Sequence, residues 1–512
     1  MALSSNPRRR AGPHRPAPAD RPATARPALL ALASCALGLV LAGCATATPR
    51  APALDAPLSA RFMNGGGDAA APRIDADWWN GFGDPALSAL VERGLESSHD
   101  VRSALARVRA ARAGVDAQAA RLLPQVGVLA TATRSTSGLP AAVKESGQPD
   151  FRAWSGGLEA SWEIDVAGGV RAARDAARAD AAAAEADAAG ARLLVAGDIA
   201  RLYFTLRGTQ ERLRIVRALA QAQRDTARAV ARRADEGQAS AFDVDRARAE
   251  ADSVDAQVPP LQTLLVESRS RLAVLIGADP SAAVDPPDAG YAWPASREIG
   301  TGQPPDLLRR RPDLIAAEMR LAAQSLRGAE ARAQAWPRLF LGALLGGEDL
   351  RINALDLSPV RFASVAAAFA MPLFDAGRVR AGIEAQGARE DEAMLAWQKA
   401  VLIAVADVEN GLAARDDEAR QGVLLEAAVA ARRQSLARAQ SLYREGQIDL
   451  LALLDVQRSL LASETALAGN AQRRALADVH LFQALGGGWQ PPRTGVAVAG
   501  TPATQPSRSP LP

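Results

Sequence analysis

This chain carries the same message twice. Ala167-Gly168-(x)-Val170-Arg171 returns as Ala376-Gly377-(x)-Val379-Arg380, and Asp198, Gly237, Leu272 and Gly277 return as Asp407, Gly446, Leu481 and Gly486, all 209 residues later. Upstream, Leu95, Asp100, Ala104 and Pro124 return as Leu308, Asp313, Ala317 and Pro337 at an offset of 213. A duplication on this scale sets the unit to be explained before any fold is assigned. The unit is a short helix, two strands, a very long helix and another short helix. Repeat 1 is taken as 76–290 and repeat 2 as 291–490, followed by a disordered tail over 491–512.

The N-terminus is of another kind. Residues 1–43 hold six Arg and one Asp, whereas the whole chain is only +3, so the rest is about −2. The basic pI is a leader's charge, and it argues against nucleic-acid binding. Ala28 to Gly43 is uncharged and ends in Leu41-Ala42-Gly43-Cys44. A basic region, a short apolar run and a small-residue cut site read as a signal peptide over 1–43, too short to span a bilayer as a helix. Leu-Ala-Gly-Cys resembles the bacterial lipoprotein box, which implies cleavage between Gly43 and Cys44 and lipidation of Cys44. Leu32-Ala33-Ser34-Cys35 is a weaker match. Ala45 after the Cys, in place of Asp, implies sorting to the outer membrane. Residues 44–75, rich in Ala, Pro and Gly, read as an extended tether.

No Cys follows Cys44, which excludes disulfides within the mature chain and thiolate metal sites. His99 and His480 lie far apart, and neither has metal-ligand spacing. No cofactor is expected. Paired carboxylates such as Glu163 and Asp165 suit a strand's polar face better than acid–base chemistry, and no nucleophile or phosphate loop stands out, so the chain does not read as an enzyme.

Within repeat 1, the spacing of Leu87, Leu90, Val91, Leu95, Val101 and Leu105 predicts one helix from Asp84 to Leu123, ended by Pro124. Val126, Val128, Ala130 and Ala132 then alternate with Gly127, Leu129, Thr131 and Thr133. Trp154, Gly156, Leu158, Ala160, Trp162 and Ile164 alternate with Ser155, Gly157, Glu159, Ser161, Glu163 and Asp165. This period fits a membrane barrel strand, and equally a half-buried soluble hairpin. Arg171 to Asp235 has no Pro and predicts 65 residues of helix, about 98 Å. Gly237 stops it, and Phe242 to Leu275 returns with an interruption near Pro259-Pro260. Repeat 2 has helix over Asp306–Trp336, strands over Leu339–Leu345 and Phe362–Leu373, a long helix over Arg380–Glu445 and a return over Asp449–Leu485. In each repeat the two shorter helices together match the long one in length. The economical packing therefore sets two short helices end to end beside each long one, since a lone helix of this length cannot bury its apolar stripe. Four membrane strands cannot close a useful lumen, and open edges are forbidden in lipid, so several chains must share one barrel.

The ending Leu481-Phe482-Gln483-Ala484-Leu485-Gly486-Gly487-Gly488-Trp489 resembles that of outer membrane factors, the TolC/OprM-like efflux lipoproteins. So do Arg310-Arg311-Pro312-Asp313 with Ala317-Glu318, Trp162-Glu163-Ile164-Asp165 ahead of Gly168, Pro372-Leu373-Phe374-Asp375-Ala376-Gly377, and Trp78-Trp79 with Asp84-Pro85. The resemblance covers about 76–490. It implies a mixed α and β membrane protein, a homotrimer with a 12-stranded outer-membrane barrel that continues into a long α-helical periplasmic barrel. Such a protein is a passive exit duct for drugs or other small molecules. Its implied partners are a periplasmic adaptor and an inner-membrane pump of the resistance-nodulation-division type. The resemblance also implies a gate at the periplasmic tip. Asp243 matches an aspartate of the first turn, Tyr443 a gate tyrosine and Asp455 an aspartate of the returning helix. Where some members place an Arg, this chain has Ile448, and Arg444 stands as the substitute. Asp243 and Asp449 equally suit helix N-caps. Two other readings remain: a duct for type I protein secretion, and a lipid-tethered periplasmic coiled-coil scaffold or adaptor.

Overall fold

The computed structural model describes residues 49–65, 75–136, 138, 140, 151–281, 291–295, 299–352, 355–357, 360–487 and 489. The signal peptide, Gly43, Cys44 and the C-terminal tail lie outside them. Asp84 opens the first helix by accepting from the Ala86 and Leu87 amides at 3.0 and 3.3 Å. The single helix expected over 84–123 is in fact two, α1 (Pro85–Ser97) and α2 (His99–Ala120). Ser98 breaks out of helical geometry and accepts from the Asp100 amide at 3.3 Å. The cause is tertiary. Ser97 Oγ donates to the Ile276 carbonyl at 2.6 Å, and Gly277 lies so close that a Cβ there would meet the Ser97 carbonyl at 2.7 Å.

Strands β1 (Gln125–Ser135) and β2 (Phe151–Ile164) follow, then α3 (Gly169–Asp235), α4 (Ala241–Asp255) and α5 (Val258–Leu275). Pro259 and Pro260 sit in the first turn of α5, where their missing N–H groups cost nothing. Repeat 2 holds the short α6 (Leu307–Arg310), α7 (Pro312–Ala333), β3 (Arg338–Ile352), the two-residue β4 (Leu355–Asp356), β5 (Val360–Ala370), α8 (Arg378–Arg444) and α9 (Leu450–Ala484). Both α3 and α8 have 67 residues and keep the 209 offset. Both end alike. Gly237 and Gly446 take left-handed φ of 73° and 71°, and the next amides, of Gln238 and Gln447, reach back to the Arg233 and Leu442 carbonyls. This closing motif wants a residue without Cβ at the turn.

The sheet is antiparallel, in the order β1-β2-β3-β5, with β4 extending the far end beside β3. Val128 pairs with Leu158, Leu158 with Leu345 and Leu345 with Ala363, so β2–β3 pairing joins the two repeats. Among the described residues, β1 and β5 each keep one unpaired edge. The helices continue from the sheet as a wall. On one side α3 packs against α2, α4 and α5, and on the other against α7 and α9; among the described helices α8 packs mainly on that same α7–α9 column. Each repeat therefore does lay two shorter runs beside its long helix, and α7 and α9 are shared by both long helices. Glycines permit the sharing. A Cβ at Gly197 or Gly208 of α3 would run into Gln483 or Gln472 of α9. On the other flank, Gly411 and Gly422 of α8 face His480 and Asn470. Both glycine pairs are eleven residues apart, three helical turns, so each falls on one face.

The main core lies midway along the wall. Trp78, Leu87, Ile199, Tyr203, Phe204, Leu272 and Val479 are buried there. A second core joins Phe62, Leu314, Leu321, Trp397 and Val401. Phe62 belongs to the segment 49–65, which runs along α7 and α8. Its Arg50 amide donates to Ser325 Oγ at 2.9 Å, and the amides of Met63 and Asn64 donate to Glu409 at 2.6 and 3.0 Å.

Candidate functional site

The pairing registers sort the sheet into two faces. One carries Val126 and Val128 of β1, Trp154 and Leu158 of β2, Leu345 of β3, and Val365 and Phe369 of β5, all at least half exposed. The other carries Thr131, Thr133, Ser155, Glu159, Glu163 and Glu348. On this face Glu163 holds Arg338 through two hydrogen bonds of 2.7 Å. An apolar face against a polar one, over strands of 11 to 15 residues, is what a wall between hydrocarbon and water requires. No helix among the described residues is long and apolar enough to cross a membrane.

At the far end of the wall the two turns meet in one small cluster. Tyr443 packs with Val230, Val244, Ala247, Leu450 and Leu454, and the Arg233 guanidinium lies over its ring at 5.5 Å. Asp243 completes a capping box: its amide donates to Ser240 Oγ at 3.1 Å, and its carboxylate accepts from the Ser240 amide at 3.3 Å and hydroxyl at 2.7 Å. Asp449 caps α9 by accepting from the Ala452 amide at 2.8 Å. Arg444 donates within its own helix, to the Gln440 carbonyl at 3.2 Å and Ser441 Oγ at 3.0 Å. Asp455 is exposed one turn before Arg458, which bridges to Glu250 of α4 at 2.9 Å. The fold thus gathers Tyr443 with the first turn, while Asp243 and Asp449 hold helix ends.

Two sites had no place in the sequence reading. The first is in the main core. Arg207 is buried; its Nε and Nη2 donate to the Tyr203 hydroxyl at 3.1 and 3.0 Å, and its guanidinium lies 4.3 Å above the Tyr291 ring. The Tyr203 hydroxyl donates in turn to the Asp84 carboxylate. Burial pushes both phenols above their ordinary range, so both stay neutral. The signal was available, because Tyr203-Phe204 is the only aromatic pair in an Ala- and Arg-rich helix. The second site explains a motif. Arg311 donates to Asp407 of α8 and to the Ala484 carbonyl of α9, both at 3.1 Å, and pairs with Asp313 at 2.8 Å. A Cβ on Gly486 would meet the Arg310 carbonyl at 2.6 Å, so the Arg-Arg-Pro-Asp and Gly-Gly motifs are two halves of one junction.

Known proteins fit this geometry. The outer membrane efflux protein family matches residues 90–278 and 304–487, one match per repeat. Similar relatives include the pyoverdine export outer membrane protein OpmQ of Pseudomonas aeruginosa, 34% identical over 90% of this chain and 97% of that protein. Its namesake in Pseudomonas putida is 33% identical over 89% of this chain and 97% of that one. Among solved structures, the outer-membrane channel OprN is 31% identical and superposes with a TM-score of 0.77, covering 86% of this chain and all of that one. The chain belongs to the outer membrane efflux protein family and is an outer-membrane efflux channel.

Proposed function

We propose that the conduit is a homotrimer, that its cargo is small molecules, and that a periplasmic adaptor and an inner-membrane pump of the resistance-nodulation-division type deliver that cargo. The observation that carries this reading is the pair of unpaired edges on β1 and β5. Backbone groups at an open edge in hydrocarbon cost several kcal/mol each, roughly, so the edges must meet other copies. Three copies give twelve strands, enough for a water-filled lumen. The relatives named for pyoverdine export favour small cargo over secreted protein.

The anchor is Cys44, lipidated after cleavage beyond Gly43. Its reach supports this. Arg50 is paired with Asp391 at 2.8 Å, thirteen residues and so about 20 Å along α8 from its strand end. Six residues of extended chain from Cys44 to Arg50 cover about 20 Å, enough to return to the membrane surface. The tip is the gate. Tyr443 with Arg233 latches the two turns, Asp455 and Arg444 supply free charge at the constriction, and Asp243 and Asp449 fix the helix ends.

Extracted protein should run as a heat-modifiable trimer and conduct ions in planar bilayers. A folded monomer without conductance would overturn the reading. Asp455→Ala should raise conductance more than Asp243→Ala, whose carboxylate is held in its capping box; no change from either removes them from the gate.

A further inference from the structure

The apolar face of the sheet ends in a row of like charges. Arg134 of β1 pairs in register with Arg152 of β2, and Arg152 with Arg351 of β3. Arg361 of β5 is on the same face but opposite Gly347, four residues and about 13 Å nearer the helices than Arg351. All four are exposed. Like charges directly opposite on neighbouring strands destabilise a sheet, and three in line compound the effect. Only Arg351 has carboxylate partners, Asp356 at 3.3 Å and Asp349 at 3.9 Å. Arg134 and Arg152 make no hydrogen bond or ion pair among the described residues, and the three guanidiniums of the row outnumber the two carboxylates.

The position of the row says what meets it. Trp162 and Trp154 lie on the apolar face eight residues apart, about 26 Å along the strand. At a strand tilt of about 40° this spans about 20 Å of height, most of a barrel's apolar band of about 25 Å, which aromatic residues border on both sides. Arg152 lies two residues past Trp154, about 7 Å further from the helices. The row therefore sits above the hydrocarbon, on the outward face, at the level of the headgroups of the outer leaflet. A molecule that reaches the three side chains of the row from outside is a lipid standing beside the barrel. None of the four is Lys. The planar guanidinium fork binds phosphate through two parallel hydrogen bonds, which a point charge cannot do.

We infer that this rim binds the phosphorylated headgroup of outer-leaflet glycolipid, so that lipid phosphate supplies the counter-charge that the sheet omits. The inference rests on the outer-membrane placement of the strands and goes beyond the channel function. It does not involve the lumen.

The test uses the full-length assembly in mild detergent, titrated with lipopolysaccharide, with enzymatically dephosphorylated lipopolysaccharide and with inorganic phosphate. The unsubstituted protein should bind the phosphorylated lipid and bind the dephosphorylated form at least about tenfold more weakly, the scale of one lost charge-assisted contact. R134Q/R152Q should lower affinity for the phosphorylated lipid by at least that factor. R134K/R152K should recover part of it, which separates lost charge from misfolding and leaves the remainder to the guanidinium fork. Equal binding by the Gln variant, or equal binding of both lipids by the unsubstituted protein, overturns the inference. Saturation by inorganic phosphate at the lipid's affinity overturns it too, because the site would then not be a lipid site. Conductance and assembly size, measured on the same samples, report failure of the channel reading separately.

Discussion

Helices α3 and α8 are equivalent by sequence and unequal in the fold. Each has 67 residues, yet α3 buries 27 positions and α8 only 11. The reason is place. α3 is a spine with columns on both flanks, whereas α8 has the α7–α9 column on one flank and, among the described residues, no second column of helices, only the segment 49–65. Sequence has diverged to suit. Tyr203 and Phe204 of α3 correspond to Leu412 and Ala413 of α8, and Leu206 corresponds to Arg415. Duplication supplied two equal helices; their neighbours decided which became core and which became rim. The rim is not polar, however. Leu395, Leu402 and Leu424 are 64%, 63% and 72% exposed. At 100° per residue they fall within roughly 40° of one another, about 120° around the helix from the packed stripe of Met394, Val401 and Val408. An exposed apolar stripe set apart from the packed one is the surface expected to meet another copy.

The sharpest way to break the comparison is to charge that exposed stripe. Leu402→Glu with Leu424→Glu should abolish assembly while each chain keeps its helical content, because the packed stripe is untouched. Size-exclusion chromatography with circular dichroism reads both. Intact trimers would mean that α8 turns this stripe to solvent.

The next effect is on the spine. Phe204 is fully buried and stacks near Trp293 at 6.3 Å between centroids. Phe204→Ala should cost about 3–5 kcal/mol in urea unfolding. Removing an exposed rim residue of α8 such as Leu402→Ala should cost the isolated chain under about 0.5 kcal/mol. Similar losses at both would erase the distinction between spine and rim.

Much of this was legible, since it depends on local pattern. The 209 register, the strand alternation, the turns at Gly237 and Gly446 and the capping role open to Asp243 and Asp449 are all written within a few residues of where they act. What was not legible depends on distant partners. The break at Ser98 interrupts an unbroken apolar spacing, and it is imposed by the Ile276 carbonyl of a helix some 180 residues away. β3 runs on to Ile352, past the expected Leu345, because β2 continues to offer it partners as far as Phe151. The inequality of α3 and α8 follows from β2–β3 pairing, which seats repeat 2 against one flank of α3. At the tip, sequence placed Asp243, Tyr443, Arg444, Asp449 and Asp455 beside the turns but could not divide them into those that bond inward and those left exposed.

A smaller difference lies where both long helices touch α9. A methyl on Gly197 would come within 1.8 Å of the Gln483 side chain, whereas on Gly411 it would sit 3.4 Å from the His480 ring. Gly197→Ala should therefore cost about 1–3 kcal/mol through forced repacking. Gly411→Ala should be near neutral, since helix propensity gains what the tight contact loses. Thermal unfolding of the two variants side by side would show it, and equal shifts would mean that α9 relaxes equally on both flanks.

The smallest effect concerns charge. In the spine, Arg207 is met by a neutral phenol. In the rim, Arg415 is met by the buried Asp478 of α9 at 2.8 Å, with Arg474 also nearby. Burial is the largest influence on Asp478 and raises its carboxyl above 3.8, and the attraction of the two guanidiniums only partly offsets it. A folded state that holds its proton more tightly than the unfolded chain is penalised once the group ionises. The penalty is absent below the unfolded pKa near 3.8, sets in as pH rises through the folded value and is complete above it. Asp478→Asn lacks this titration. The melting temperature of the unsubstituted protein minus that of the variant should therefore fall as pH rises from about 3.5 toward neutrality. A difference that rises instead would mean that Arg415 outweighs burial, and that the rim holds its charge pair as a source of stability.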